Sequence, residues 1–526
     1  MSALHSALEG TAEALSRMAP SAIRTRARVP SPRVAMTQLV GKARTIPRPL
    51  AALLAMATIQ VVAWILILPP FQGPDEEAHF AYVQHLAETG ERPGLPGAGA
   101  RSYSTEQGEA MQWADLVVLR GVVGARPGWA EAEEQRWNDV EASLPDEASS
   151  DSEQNAAGGN PPLYYALEAI PYHLSPGGSF FNRFYMARFG SAVFYVAAVA
   201  FMWLIAAELF RPVWARTLAT AIFALHPKLA MLGALINPDT LLVLIWTVFI
   251  YVGVRIVRHG PTLRRLIAAG TAVAASLLTH GRGLAILPAL LVLLGIAYLR
   301  WRPPLRQTLQ TIVVGLGIAV AGLAVAGVFT SGISGEGAAY GGVIGWAEGQ
   351  DFNLRQFVSY VWQFYFPKLD FMQPALGVPG YGFDDVYIQS FYSDFAWLEI
   401  AYPRFAINLL HVATMLLLFG LYTVAVARWG AVKRAWPIIA FLLLTGLSMV
   451  ALLHVSSYTT MLINPADPIL TGRYLFPLLS LLAIAVTVVV TALPRRIGAL
   501  ATGALVATGI VLQLSGLGLA LVRFYA

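Results

Sequence analysis

The sequence predicts an all-α, polytopic membrane protein with about eleven transmembrane helices and two large outer loops. Composition is the first reason. Hydrophobic residues make up 56% of the 526 residues and charged residues only 13%, against roughly 25% charged in soluble chains. Mean hydropathy is +0.58. The second reason is length: apolar runs of about 20 residues, enough to cross the hydrocarbon core, recur along the chain. The third is the placement of Lys and Arg between those runs. The net charge of +5 is small for this length and does not suggest nucleic acid as a partner. The absence of cysteine excludes disulfides, thiolate metal sites and cysteine nucleophiles.

The first fifty residues hold eight Lys/Arg and two Glu, and residues 1–48 read as a basic cytoplasmic arm. The apolar run at 49–70 is expected to be an uncleaved first span. Further spans are expected at 187–209, 214–235, 240–257, 264–280, 284–300 and 308–330, then at 404–427, 436–456, 472–493 and 498–521. With a cytoplasmic N-terminus, the inner segments carry 14 Lys/Arg, from Arg211 to Arg496, with Glu208 the one acid nearby. The short outer loops carry chiefly Lys228, Arg282 and Arg473. This divides the chain into the arm, a transmembrane module at 49–330 with a large outer loop at 71–186, a second outer loop at 331–403, and closing helices at 404–526. Within the first loop, 125–159 is acidic and polar and reads as a mobile loop. Within the second, "FVSYVWQFYFPKL" (357–369) reads as an amphipathic helix on the membrane surface.

Ionisable residues next to lipid are costly unless solvated or used. "PPFQGPDEEAHFAYVQHL" (69–86) follows the first span directly. Gly90 could cap a helix running from about 75 to 88, with Pro74 at an early position. On such a helix Asp75 and Glu76 share a face with His79, at spacings of four and three. Glu77 reads as an acid favoured by the helix N-terminus. Asp75 and Glu76 are the candidate catalytic acids: a carboxylate here can serve as general base, or hold a divalent metal such as Mg or Mn.

Five later stretches supply candidate binding residues. "NPPLYY" (160–165) reads either as an interfacial aromatic belt or as part of a site. Arg188 lies slightly inside the second span, where an arginine either snorkels to headgroups or binds a ligand. "INPDTLL" (236–242) places Asn237 and Asp239 at a tight outer turn; turn chemistry explains them, or Asp239 is a second acid. "LLTHGRGLAIL" (277–287) puts His280 and Arg282 between two short spans with glycines beside the arginine, which suits a phosphate. "TGRYLFPLL" (471–479) begins a span with Arg473 and Tyr474 on the outer side, where the positive-inside rule disfavours arginine. The sequence has no phosphate loop, no dinucleotide fingerprint and no HExxH. Its charged groups face outward, where nucleotide donors are scarce, so a lipid-borne donor is the expectation.

This ordered set resembles the GT-C class of integral-membrane glycosyltransferases, and within it a family of bacterial predicted membrane proteins of mostly unassigned role. The matching pieces are "GPDEEAHFAYVQHLAETGERP", "NPPLYYAL", "YMARFGS", "NPDTLL", "SFYSDFAWLE" (390–399) and "TGRYLFPLL", in order over about 70–480. The resemblance implies a GT-C fold and a polyprenyl-phosphate-linked sugar donor. It implies an acceptor that is a glycan, glycolipid or protein, and a multi-pass protein of the bacterial inner membrane, working at its outer face in cell-envelope synthesis. It places Asp75, with Glu76 beside it, as the acidic residue of the first outer loop, and Arg282 and Arg473 as holders of the lipid phosphate. Asn160 departs from the His that related proteins often have before the two prolines. A flippase or transporter of lipid-linked glycans is the alternative, because it too would carry intramembrane arginines and broken helices.

Overall fold

The computed structural model describes residues 46–95, 102–122, 124–127, 131–302, 304–330, 352–466 and 469–526. Residues Pro49–Ala526 form one unit; the basic arm belongs to the other, Met1–Arg48, and lies outside the described residues as far as 45.

Among the described residues, eight helices are long and apolar enough to cross a membrane. The first, α1 (Arg48–Ile67), buries Leu53, Ala57, Gln60, Val61 and Trp64, a stripe at helical spacing. It ends where Pro69 and Pro70 withhold the N–H groups a helix needs. Helix α2 (Glu76–Thr89) follows, and Gly90 closes it in the left-handed conformation, at φ 72°, its N–H donating to the Leu86 carbonyl at 3.0 Å. Helix α3 (Leu163–His173) packs on α2 and on the long α4 (Phe180–Leu209). The first outer loop thus rests on the membrane module as a helical layer.

The stretch expected to be mobile is partly helical. Glu131–Ser143 forms a helix whose Trp137 is buried against Phe180 and Phe181, while Glu141 accepts a hydrogen bond from the Phe180 backbone. One aromatic anchor orders an otherwise polar segment.

One expected span is broken and another is short. The run at 214–235 divides into α5 (Val213–Ala224) and α6 (Pro227–Leu232), because Pro227 disfavours helical geometry at His226. His226 instead caps the second piece, accepting from the Leu229 N–H at 3.3 Å. Then α7 (Pro238–His259) runs through the centre of the unit, packed on α4. The run at 264–280 is the 15-residue α8 (Leu263–Leu277), followed by a tight turn at Gly281–Ala285 and α9 (Ile286–Trp301). In that turn a Cβ at Gly283 would lie 2.1 Å from the Ser276 carbonyl oxygen, so only glycine permits the approach. Helix α10 (Leu305–Thr330) packs on α8.

In the second outer loop α11 (Leu354–Tyr365) is the amphipathic helix, ending before Pro367. Its Tyr360 and Phe364 are buried, while Leu354, Val358 and Trp362 form an exposed row. The closing helices are α12 (Arg404–Ala427), α13 (Trp429–Ile463), α14 (Leu479–Ala492) and α15 (Arg495–Tyr525). Helix α12 exposes Leu409, Val412, Leu416 and Phe419, a face suited to lipid rather than water. Where α4 ends, Glu208 meets Arg255, Arg258 and His259 from the end of α7.

Candidate functional site

Five chain segments meet at one end of α7: the start of α2, the stretch before α3, the turn before α7, the turn before α9 and the turn before α14. They enclose a cavity of about 210 Å³ lined by Asp75, His79, Asn160, Asn237, Asp239, His280, Arg282, Arg473 and Tyr474. Eight of the ten candidates named from sequence face it; Glu76 and Arg188 do not.

Asp75 precedes the first residue of α2 with φ 60° and ψ 16°, a left-handed conformation uncommon outside glycine. Its side chain makes no capping bond. It turns instead to the cavity, where it accepts from Arg473 Nη2 at 2.8 Å. A strained backbone that aims a carboxylate away from its cheapest partner is a mark of functional sites. Burial works against ionisation of this carboxyl, and the Arg473 guanidinium outweighs it with help from His79 and Arg120, holding it below the usual range.

Arg473 is set by a close backbone approach. A Cβ at Gly472 would lie 2.3 Å from the Phe391 nitrogen. The Gly472 N–H donates to Ser390 Oγ at 3.1 Å, and Ser390 Oγ also bonds Thr471 Oγ1 at 2.7 Å. The buried Lys228 donates to the Ser390 carbonyl at 2.6 Å. Lys228 and Ser390 thus hold the arginine's turn. The sequence signal for Lys228 was its outer-side position; "SFYSDFAWLE" carried Ser390 without showing what it touches.

Across the cavity, Asn237 caps α7, accepting from the Asp239 N–H at 2.9 Å. That leaves the Asp239 carboxylate free to pair with Arg282 Nη2. His280 caps the next turn by accepting from the Arg282 N–H at 3.1 Å. The Tyr474 ring lies 3.9 Å from the Arg282 guanidinium carbon and 5.2 Å from that of Arg473, so one aromatic face supports both cations. Each arginine keeps buried N–H groups without a partner: Nη1 of Arg282, and Nε and Nη1 of Arg473. Asp239 Oδ2 is also buried and unpartnered. Buried donors left open at a cavity need an acceptor. Two guanidinia with unpartnered N–H groups have the chemistry to hold an anion.

His79 hydrogen-bonds Tyr165 Oη through Nδ1 at 2.9 Å, and Asn160 Nδ2 donates to the same hydroxyl at 3.2 Å. Tyr165 stacks on Tyr82 at 3.7 Å. Of "NPPLYY", Asn160 lines the cavity, while Tyr164 and Tyr165 are fully buried behind it and are not a lipid-facing belt. Burial lowers the His79 pKa to about 4 from an ordinary 6.5, although Asp75 pulls the other way. The unfolded chain takes up this proton near pH 6.5 and the folded protein only near 4. The stability it represents is therefore complete above about 6.5 and is lost as pH falls toward 4, up to a limit on the order of 3 kcal/mol. The melting temperature should fall between pH 7 and pH 5, and His79→Gln should flatten that fall. An unchanged slope would assign it to other groups.

Glu76 and Arg188 require correction. Both side chains are fully buried. Glu76 takes Arg188 Nε at 2.8 Å and Nη2 at 2.7 Å, and also accepts from the Ile236 and Gly73 N–H groups at 3.3 Å. Arg188 Nη1 donates to the Ile65 and Leu68 carbonyls, and Nη2 to Pro69. All five guanidinium donors are engaged. Arg188 closes the end of α1, whose last carbonyls have no helical partners, and Glu76 neutralises it. Neither is free for substrate. Asp75 and Glu76 point to different partners, Arg473 and Arg188. Among the described residues no group of three or more His, Asp or Glu is placed to hold a metal ion. Glu77 pairs with Arg120 at 2.9 Å, outside the cavity.

The family described as "Predicted membrane protein (DUF2142)" matches residues 59–482, a span that includes every cavity residue. The chain belongs to this family. The membership agrees with a multi-pass, all-helical protein. No curated protein matches the chain. This DUF2142 protein is similar to the solved structure of ArnT from Cupriavidus metallidurans bound to undecaprenyl phosphate, at 14% identity and a TM-score of 0.39 over 84% of this chain and 60% of that one. It is also similar to the apo oligosaccharyltransferase of Archaeoglobus fulgidus, at 12% identity and a TM-score of 0.43 over 90% of this chain and 56% of that one. The DUF2142 chain thus spans about three fifths of the length of those structures.

Proposed function

We propose that this protein is a GT-C glycosyltransferase that moves a sugar from a polyprenyl-phosphate donor to an acceptor hydroxyl, at the outer face of the bacterial inner membrane. One observation carries the reading. Two arginines that line the cavity have buried N–H groups without a partner, and one of them holds the left-handed Asp75 by its carboxylate. The Lys/Arg pattern supports the outer placement, because it puts this end of α7 opposite the basic loops.

The donor phosphate accepts from Arg282 Nη1 and from Arg473 Nε and Nη1. Engaging Arg473 loosens its bond to Asp75, and the Asp75 carboxylate becomes a stronger base when that cation turns to the phosphate. The acceptor oxygen attacks the anomeric carbon and passes its proton to Asp75. The bond from that carbon to the phosphate oxygen breaks, and the charge developing on the oxygen is met by both guanidinia. One displacement inverts the anomeric centre. No second carboxylate nucleophile is required, in contrast to retaining hydrolases.

Binding of undecaprenyl phosphate to the protein in nanodiscs, read by native mass spectrometry, tests the anion site. Arg282→Gln and Arg473→Gln should each weaken it about tenfold or more, since a charge-assisted hydrogen bond contributes about 1.5–3 kcal/mol. Unchanged affinity in both variants would remove the phosphate from this cavity and the reading with it.

A further inference from the structure

A second cavity, of about 630 Å³, lies between α11, the loop that follows it, and the outer parts of α12 and α13. Its chemistry differs from that of the first. Aromatic rings line it, among them Phe364, Tyr365, Tyr381 and Phe383, with Asp384 and Asp385 also in the wall and neither Lys nor Arg among the described lining residues. Asp384 is open to solvent and pairs with His411. The rings are held in place: Tyr365 Oη bonds Tyr387 Oη and His454 Nε2, each at 2.8 Å, and Tyr360 Oη bonds His454 Nδ1 at 3.0 Å.

The two cavities are neighbours. Leu470 lines the second and Arg473 the first. Tyr381 donates to the Leu470 carbonyl, and its phenol lies within electrostatic reach of the Tyr474 phenol. One wall of the second cavity lies beyond the 436–456 span expected within α13. Helix α13 has 35 residues, roughly 52 Å at 1.5 Å each, against a hydrocarbon core of about 30 Å. Its last turns, with Ser457 and Met461, form one wall.

Aromatic faces offer flat, weakly negative surfaces to the C–H groups of a sugar ring, and carboxylates accept from hydroxyl or ammonium groups. The same carboxylates repel a phosphate. We propose that this aromatic, acidic cavity holds the acceptor, and that the acceptor is a glycan of neutral or amino sugars. The assignment rests on the glycosyl-transfer reading. It adds to that reading a division of labour: the anionic donor head lies against Arg282 and Arg473, and the uncharged or cationic acceptor lies on the aromatic side of the 470–474 segment.

The test uses chitotetraose and its fully de-N-acetylated counterpart as probes, with the protein in nanodiscs and saturation-transfer difference NMR as readout. At least one probe should bind. Phe383→Ala and Asp385→Asn should each weaken that binding at least tenfold while leaving undecaprenyl phosphate affinity unchanged. Two variants guard against a local folding defect, which would move both ligands together. Failure of both probes to bind, or binding that survives both substitutions, overturns the proposal. Loss of undecaprenyl phosphate affinity in Phe383→Ala, with glycan binding retained, overturns it too and assigns the cavity to the lipid chain. Glycan binding with no undecaprenyl phosphate affinity in the unsubstituted protein would instead sink the donor reading and leave this site standing.

Discussion

Asp75→Asn should lower sugar transfer by about 10²- to 10⁴-fold, the range for a lost general base, while the protein folds and still binds undecaprenyl phosphate. The folded state should survive because asparagine tolerates the left-handed conformation at this position as well as aspartate does. Lipid binding should survive, and can tighten, because Arg473 loses a competing carboxylate and keeps all its N–H groups for the phosphate. The measurements are the transfer rate with a lipid-linked donor and the affinity for undecaprenyl phosphate by native mass spectrometry. Asp75→Glu should retain part of the activity, since it keeps a carboxylate but lengthens its reach. Full transfer by Asp75→Asn would exclude Asp75 as the base.

Arg188→Met should produce the largest loss of stability. It leaves the Glu76 carboxylate fully buried without its cation, a change that costs about 3–5 kcal/mol. It also strips the Ile65, Leu68 and Pro69 carbonyls of their donor. Thermal unfolding in detergent should show a melting temperature lowered by many degrees, with little protein recovered from membranes. The double substitution Glu76→Gln with Arg188→Met should recover much of the loss, because the uncompensated charge is gone. A normal melting temperature together with lost undecaprenyl phosphate binding would return Arg188 to the ligand site.

These two residues show where the sequence misleads. Glu76 and Asp75 are adjacent, equally acidic and equally close to the first span. One closes a buried ion pair and the other faces the cavity. The difference lies in a single backbone torsion, the positive φ of Asp75, which turns its side chain away from that of its neighbour. Local pattern places both on one helix face, but the helix starts one residue later than the spacing suggests. Arg188 misleads for the same reason. An arginine within a span signals use, and here the use is structural.

Arg282 and Arg473 were legible as cavity residues because each breaks a local expectation, and His280 and Tyr474 came with them as chain neighbours, whereas Asp239 was named although turn chemistry alone accounts for it. With the expected cytoplasmic N-terminus both arginines depart from positive-inside placement, and Gly-Arg pairs at span ends have no helical reason to be there. Lys228 and Ser390 were not legible as partners of the Arg473 turn. They lie 162 residues apart, and their contact exists only after α6 and the second outer loop have packed. The helix at Glu131–Ser143 was missed for a similar reason, since Trp137 finds Phe180 and Phe181 only in the folded layer.

The sequence by itself determined that the chain folds as a multi-pass membrane protein, the approximate spans and the kinds of residue that line its cavity. Those properties follow from composition, apolar run length and Lys/Arg asymmetry, which act locally and add along the chain. Only the tertiary structure decided which carboxylate is free, which arginine is spent, and that two cavities of opposite character share the segment between residues 470 and 474. Those depend on pairings between distant residues buried from water, where one torsion or one satisfied donor decides whether a charge serves the scaffold or the substrate.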